Sequence, residues 1–176
     1  MSPKLQRAFD DIERQREELL VRLRSLPKDK LTSAPEGKWS ILKILSHLIT
    51  GERTGLEYVN KKVLGIDRAG DTGIFDEVKM LVLILSQRLP FVKYKAPRFI
   101  EERTKVLSTL EDVEHEWNQL RREWKAFLER IPDKHVNRKI FKHVVAGRLN
   151  VEHGLRFFGE HVTHHMPQIR ERIIGN

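Results

Sequence analysis

Histidine is the residue type that gives this chain its chemical possibilities. There are eight, beside no cysteine at all, and five of them (His143, His153, His161, His164 and His165) fall in the last 34 positions. Imidazole can ligate a metal or move a proton near neutral pH. The lack of cysteine removes thiol nucleophiles, disulfides, iron–sulfur clusters and Cys-based zinc sites from consideration. The densest group is Glu160-His161-Val162-Thr163-His164-His165. On a helix turning about 100° per residue, with Leu155 at zero, the apolar stripe Leu155, Phe158, Val162, Met166, Ile169 and Ile173 centres near 340°. His165 then falls at about 280°, bordering the stripe, His161 at about 240°, beside it, and His164 at about 180°, toward solvent. His161 and His165 are four apart, so both imidazoles can reach one ion. The spacing alone marks structural histidines more often than a metal, and a third ligand must come from another helix. His47 is the best candidate, flanking the apolar face of Ser40-Ile41-Leu42-Lys43-Ile44-Leu45-Ser46-His47-Leu48 with small Gly51 one turn on. Taken singly it reads as a partly buried structural residue; its weight comes from pairing with the C-terminal group.

The elements that must bring these residues together are helices. Leu5, Phe9, Ile12, Leu19, Leu23 and Leu26 step by threes and fours, broken once at Arg16, until Pro27 ends the first helix. Leu31 to Lys38, with Ser33, Pro35 and Gly37, reads as a loop. A second helix starts near Trp39-Ser40 with Ser40 as N-cap, carries Ile41, Ile44, Leu45, Leu48 and Val59 inward, and fades around Gly65. Gly70 to Gly73 is a turn, Ile74 to Leu89 a short apolar helix stopped by Pro90, and the stretch up to Pro97 irregular. In the third long helix Val106, Leu110, Val113, Trp117, Leu120, Trp124, Phe127 and Ile131 form an unbroken seam that Pro132 closes. Lys139 to Leu149 is ambiguous, with an extended loop as one reading. The last helix runs from about Asn150 to Ile173. The expected fold is an all-α four-helix bundle with a short extra helix between the second and third long ones. It forms one domain over residues 1–176, a length that suits a single core.

Composition narrows the partners. Lys plus Arg number 33 against 25 Asp plus Glu, a net charge of +8. The charges are interleaved (Arg14, Arg16, Glu17, Glu18; Glu101, Glu102, Arg103, Lys105) with no arginine-rich arm, so no specific nucleic-acid partner is expected and any DNA binding should be weak and sequence-independent. The longest apolar run, Met80 to Leu85, is far too short to span a bilayer, and the opening residues lack the apolar core of a signal peptide. A cytoplasmic protein with no membrane partner is the expectation.

Two motifs give the sequence a family look. Lys38-Trp39-Ser40 followed by Ile44-Leu45-Ser46-His47-Leu48 resembles the signature that opens the second helix of the DinB/YfiT-like metalloprotein superfamily. His161-x-x-His164-His165-x-x-Gln168-Ile169 resembles its C-terminal block, and Ala146-Gly147-Arg148-Leu149 its preceding loop. The resemblance implies a four-helix bundle with a divalent metal, zinc or nickel, held by His47, His161 and His165, with His164 outside the ligand set. Gln168 lies on the helix row of the two C-terminal ligands, either as their hydrogen-bond partner or as a purely structural residue. Two departures stand out: His143-Val144 where relatives often carry His-Pro, and Pro167 inside the last helix, which should remove one backbone hydrogen bond and kink the helix near the site.

Three neutral ligands leave a metal its full charge and an open position, the catalytic arrangement. Relatives include enzymes that transfer low-molecular-weight thiols to electrophiles and others described as metal-dependent hydrolases, so the resemblance implies a thiol or water activated for attack on a small-molecule substrate. Relatives are commonly dimers, which makes a homodimer an expected assembly. The alternative is a non-catalytic bundle serving as a binding module with structural histidines. Glu52, on the apolar face of the second helix but about 140° around it from His47, reads chiefly as the buried partner of an arginine, with a catalytic base as the lesser reading.

Overall fold

The computed structural model describes residues 1–88 and 96–175. In chain order the elements are α1 (Pro3–Arg24), α2 (Lys28–Thr32), α3 (Ile41–Lys62), a 3-10 turn (Val63–Arg68), α4 (Ile74–Arg88), α5 (Arg98–Arg103), α6 (Leu110–Glu129), a second 3-10 turn (Asp133–His135), β1 (Phe141–His143), β2 (Gly147–Leu149) and α7 (Val151–Ile174). The four long helices α1, α3, α6 and α7 form the expected all-α bundle: α1 packs on α6 and α7, and α3 on the same two. Trp117, Trp124, Phe127, Leu20, Leu45 and Leu120 are among the side chains sealed in its centre. Among the described residues, no helix is long and apolar enough to cross a membrane.

Capping chemistry sets where the site-bearing helices begin. Ser40 accepts a hydrogen bond from Lys43 N–H to open α3, and Asn150 accepts one from His153 N–H to open α7. Thr109 does the same for α6, so that helix starts later than the seam suggests, and Val106 lies upstream of it, half exposed. Periodicity carried Val106 into the helix; the Thr109 cap cuts it off. Pro167 lies on the exposed face of α7, and the helix runs through it to Ile174. The break at Arg16 is a buried arginine whose charge is met by Glu13 and by Asn118 of α6. Two short helices are additional: α2, whose end overlaps the start of the loop expected from Leu31, and α5, which follows Pro97 in a stretch that was given no element. The helix stop at Pro90, and most of the stretch toward Pro97, lie outside the described residues.

The ambiguous stretch before α7 is a small antiparallel hairpin in which Phe141 faces Leu149 and His143 faces Gly147. Gly147 supplies the positive φ, +76°, that the turn requires. Phe141 anchors the hairpin. An added Cβ on Gly154 of α7 would lie 2.8 Å from the Phe141 ring, and one on Gly55 of α3 would lie 3.2 Å from it and 2.7 Å from Phe158. Gly154→Ala should therefore destabilise the protein by about 1–2 kcal/mol, the overpacking strain exceeding the gain in helix propensity. Gly51→Ala, whose methyl would meet His161 at an ordinary 3.7 Å, should stabilise it by about 0.5–1 kcal/mol. Urea unfolding of the two variants checks the opposite signs.

α4 lies against α7. It is fastened at its start by Asp76, which accepts from Gly73 N–H and pairs with Lys139 at 2.8 Å and Lys79 at 3.4 Å. Its outer face leaves Ile74, Phe75, Val78, Leu81, Val82 and Leu85 exposed. The hydrogen bond from Lys139, with that from Gly73, holds the Asp76 carboxyl down at about 2. A carboxyl depressed in the folded state stabilises above its unfolded value, near 3.8, and loses that contribution as pH falls toward 2. The stability advantage of the parent over Asp76→Asn should thus be full at neutral pH and vanish in strong acid, as read from denaturant midpoints across that range.

Candidate metal centre

His47 sits in the second turn of α3, and His161 and His165 sit one turn apart on α7, where the two helices pack together. The His47 ring meets the other two edge-on, the His161 and His165 rings are tilted to each other, and the Nε2 atoms turn toward one another. His161 Nε2 is 3.2 Å from His47 Nε2 and 3.2 Å from His165 Nε2, and all three rings offer an atom within 4.8 Å of the others. Metal–nitrogen bonds of about 2.1 Å at a tetrahedral angle hold ligand atoms about 3.4 Å apart. The three residues picked from spacing and resemblance are therefore brought together, in a group that could hold a metal ion. His164 is not part of it.

Protonation suits that use. Burial, reinforced by the neighbouring imidazoles, pushes His47 and His165 down to about 4 and His161 well below its ordinary value, so the rings are neutral at neutral pH. Gln168 Oε1 accepts from His165 Nδ1 at 3.0 Å, which fixes the proton there and leaves Nε2 with a free lone pair. Of the two readings left open for Gln168, a hydrogen-bond partner or a purely structural residue, this contact is the one the first requires. With His165 Nε2 bare, a proton on His161 Nε2 serves only one of its two close contacts well, whereas a cation satisfies all three nitrogens at once. His47 Nδ1 is buried without a hydrogen-bond partner among the described residues.

Aromatic rings frame the group. The Trp39 ring centre is 5.1 Å from that of His47 and 6.4 Å from that of His165, nearly parallel to the latter. Phe157 stacks on His161 at 5.4 Å. The group opens into a cavity of about 840 Å³ walled by Trp39, Tyr58, Phe141, Phe157 and Phe158, within the size range of small-molecule sites. Lys38, Lys142, Arg172, Glu101 and Glu171 also border it. Sequence reasoning left Phe157 and His143 outside the site. Phe157 had a signal: it stands four residues before His161, on the row that continues through His165. His143 had none, because the hairpin that swings it over the cavity is only three residues per strand.

His164 corrects an expectation. Helical angles point it toward solvent, but α4 lies on that side of α7, and His164 Nδ1 is 3.0 Å from the Gln87 carbonyl. Glu52 is where the pairing argument put it. Its Oε1 accepts from Arg121 at 2.9 Å and from the Trp117 indole at 3.2 Å, and Arg121 also reaches Glu13. Burial pushes the Glu52 carboxyl up, and Arg121 opposes that push. A second group with ligand spacing, Glu77, Glu152 and His153, is already served by cations: Arg156 contacts both carboxylates and Lys4 contacts Glu152.

No curated protein and no solved structure matches the chain. The family profile described as the DinB superfamily matches residues 11–169, a span holding His47, His161, His165, Gln168 and the long helices except the first eight residues of α1 and the last five of α7. The chain belongs to the DinB superfamily.

Proposed function

We propose that His47, His161 and His165 hold one divalent ion, zinc or nickel, and that the protein is a metal-dependent enzyme acting on a small molecule in the adjoining cavity. The reaction is transfer of a low-molecular-weight thiol to an electrophile or, with water in place of the thiol, hydrolysis. The observation that carries this is the convergence of three neutral Nε2 atoms on one point at the wall of an open, aromatic-lined cavity. Bound there, a divalent ion lowers the pKa of a thiol or water and so supplies a nucleophile at neutral pH. The chain's own residues do the rest. Three imidazoles bring no negative charge, so the ion's charge is undiminished. Gln168 keeps the His165 proton on Nδ1 and its lone pair forward. Trp39 and Phe157 flank the rings, restrict their rotation and keep water from their faces, while the aromatic walls accept the apolar part of a substrate.

The test is the metal content of tag-free protein purified without chelator, followed by turnover of a haloarene or bimane electrophile with glutathione, bacillithiol or mycothiol supplied in turn. About one zinc or nickel per chain and dependence on one thiol is the expected result. Hydrolysis of esters or amides without thiol selects the water-activating form. No metal and no turnover would overturn the proposal and leave a binding module with structural histidines.

A further inference from the structure

One more histidine faces the cavity, and the backbone has fixed its tautomer. Strand alternation puts Phe141 and His143 on the same side of β1, with Lys142 opposite and exposed. The turn after β1 then folds the N–H groups of Val145 and Ala146 onto His143 Nδ1, each at 3.2 Å. A ring nitrogen that accepts two backbone hydrogen bonds carries no proton, so the single proton of the neutral ring is on Nε2. Burial keeps the ring neutral, lowering it to about 4. The ring centre lies 4.3 Å from that of Phe157, and Phe157 stacks on His161, so one phenyl group separates His143 from the three-imidazole group. Among the described residues nothing accepts from His143 Nε2, and the residue lines the cavity.

We propose that His143 donates a hydrogen bond from Nε2 to the carbonyl oxygen of an apolar, preferably aromatic, carbonyl compound bound in the cavity. The inference rests on the reading of that cavity as the substrate site, and it narrows the electrophile to acyl or conjugated carbonyl compounds. A neutral donor beside the Phe157 ring suits a neutral acceptor, whereas a carboxylate would be drawn to the cations at the cavity's border, Lys38, Lys142 and Arg172. The donor also stands where charge would develop. As the nucleophile's electron pair forms a bond to the carbonyl carbon, or to the β-carbon of a conjugated carbonyl, the carbon–oxygen π pair moves onto oxygen. There the Nε2–H holds it without giving up its proton, until the pair re-forms the carbonyl and expels the acyl leaving group or, in the conjugated compound, the enolate takes up at its α-carbon the proton the nucleophile has lost. Displacement of a halide places no such charge on oxygen, so halide substrates gain nothing from His143.

Two substitutions separate this role from the histidine's part in the turn. His143→Asn keeps an acceptor for the Val145 and Ala146 N–H groups, as an Asx turn does, but removes the distal donor. His143→Gln restores an N–H near the Nε2 position. Binding of benzylideneacetone and of its oxygen-free analogue would be measured by calorimetry on metal-free and zinc-loaded protein, with ¹⁵N spectra of the imidazoles reporting the tautomer. The expected results are an Nε2–H tautomer at His143 and tighter binding of the ketone than of the analogue. His143→Asn should weaken the ketone by about threefold to tenfold, the size of one neutral hydrogen bond, with melting and analogue binding unchanged, and His143→Gln should recover part of the loss. An Nδ1–H tautomer, equal binding of the two compounds, no binding of either, or a ketone affinity unmoved in His143→Asn would each overturn the inference. A chain that binds no zinc yet discriminates the two compounds through His143 would sink the metal-enzyme proposal while leaving this one standing.

Discussion

Protein carrying His165→Ala should keep its helical circular dichroism and unfold as cooperatively as the parent, yet hold zinc or nickel more than about 100-fold less tightly, beyond the 10–100-fold typical of losing a ligand's outer hydrogen-bond partner. Turnover of any thiol-transfer or hydrolytic substrate should fall below about 1% of the parent, a loss of about 2.7 kcal/mol in transition-state stabilisation. The fold survives because His165 borders an existing cavity, and the buried core built on Trp117, Trp124 and Leu120 contains no ligand. The metal affinity collapses because two imidazoles remain where three converged. Gln168→Leu is the graded companion: it removes the acceptor that holds the His165 proton on Nδ1, and should weaken the metal by about 10–100-fold. Equilibrium dialysis against zinc and thermal melts measure both. A His165→Ala protein that melts several degrees lower while retaining its metal would show the imidazoles to be packing residues.

Arg121→Ala should cost about 3–5 kcal/mol, a large part of the 5–15 kcal/mol that holds most domains together. The guanidinium is sealed between helices and is the cation that faces Glu52, itself only 1% exposed. Without it the Glu52 carboxylate keeps one hydrogen bond, from the Trp117 indole, and no cation in direct contact. Removing both charges should be far milder. Glu52→Leu combined with Arg121→Met should recover most of the loss, since a buried pair replaced by apolar groups of similar volume is commonly neutral or stabilising, and Glu13 keeps Arg16 as its partner. Urea unfolding of the two proteins, analysed at equal slope, gives the comparison. An Arg121→Ala protein within about 1 kcal/mol of the parent would show that water reaches Glu52 and that the core is wetter than its packing indicates.

The long helices were legible because their signals are local: a 3.6-residue apolar period, a Ser or Asn cap, a proline stop. His161 and His165 were legible for the same reason, being neighbours on one helix row. His47 stood out by its place beside the apolar face of α3, but its weight came only from pairing with the C-terminal group, since nothing within α3 says which residue of α7 it will meet. Most of the misses are matters of distant docking. α4 has a plain apolar pattern, but the pattern does not reveal that its C-terminal end covers His164. The hairpin is too short to show alternation, and its placement depends on the glycine slot for Phe141, formed by residues of two different helices. Val106 failed for the opposite reason, a periodic residue excluded by the Thr109 cap three positions later.

The seating of Phe141 has a consequence for the order of events in folding. Its slot is made of Gly55 and Gly154, one on each of two helices far apart in the chain, so it exists only once α3 and α7 have docked. Contacts of that kind form late, after the loop-closure entropy has been met by the bundle's own packing. Phe141→Leu should therefore accelerate unfolding and leave the refolding rate almost unchanged, a φ-value near zero, in a stopped-flow chevron. The rim of the cavity that carries His143 would then be the last part of the molecule to assemble and the first to open.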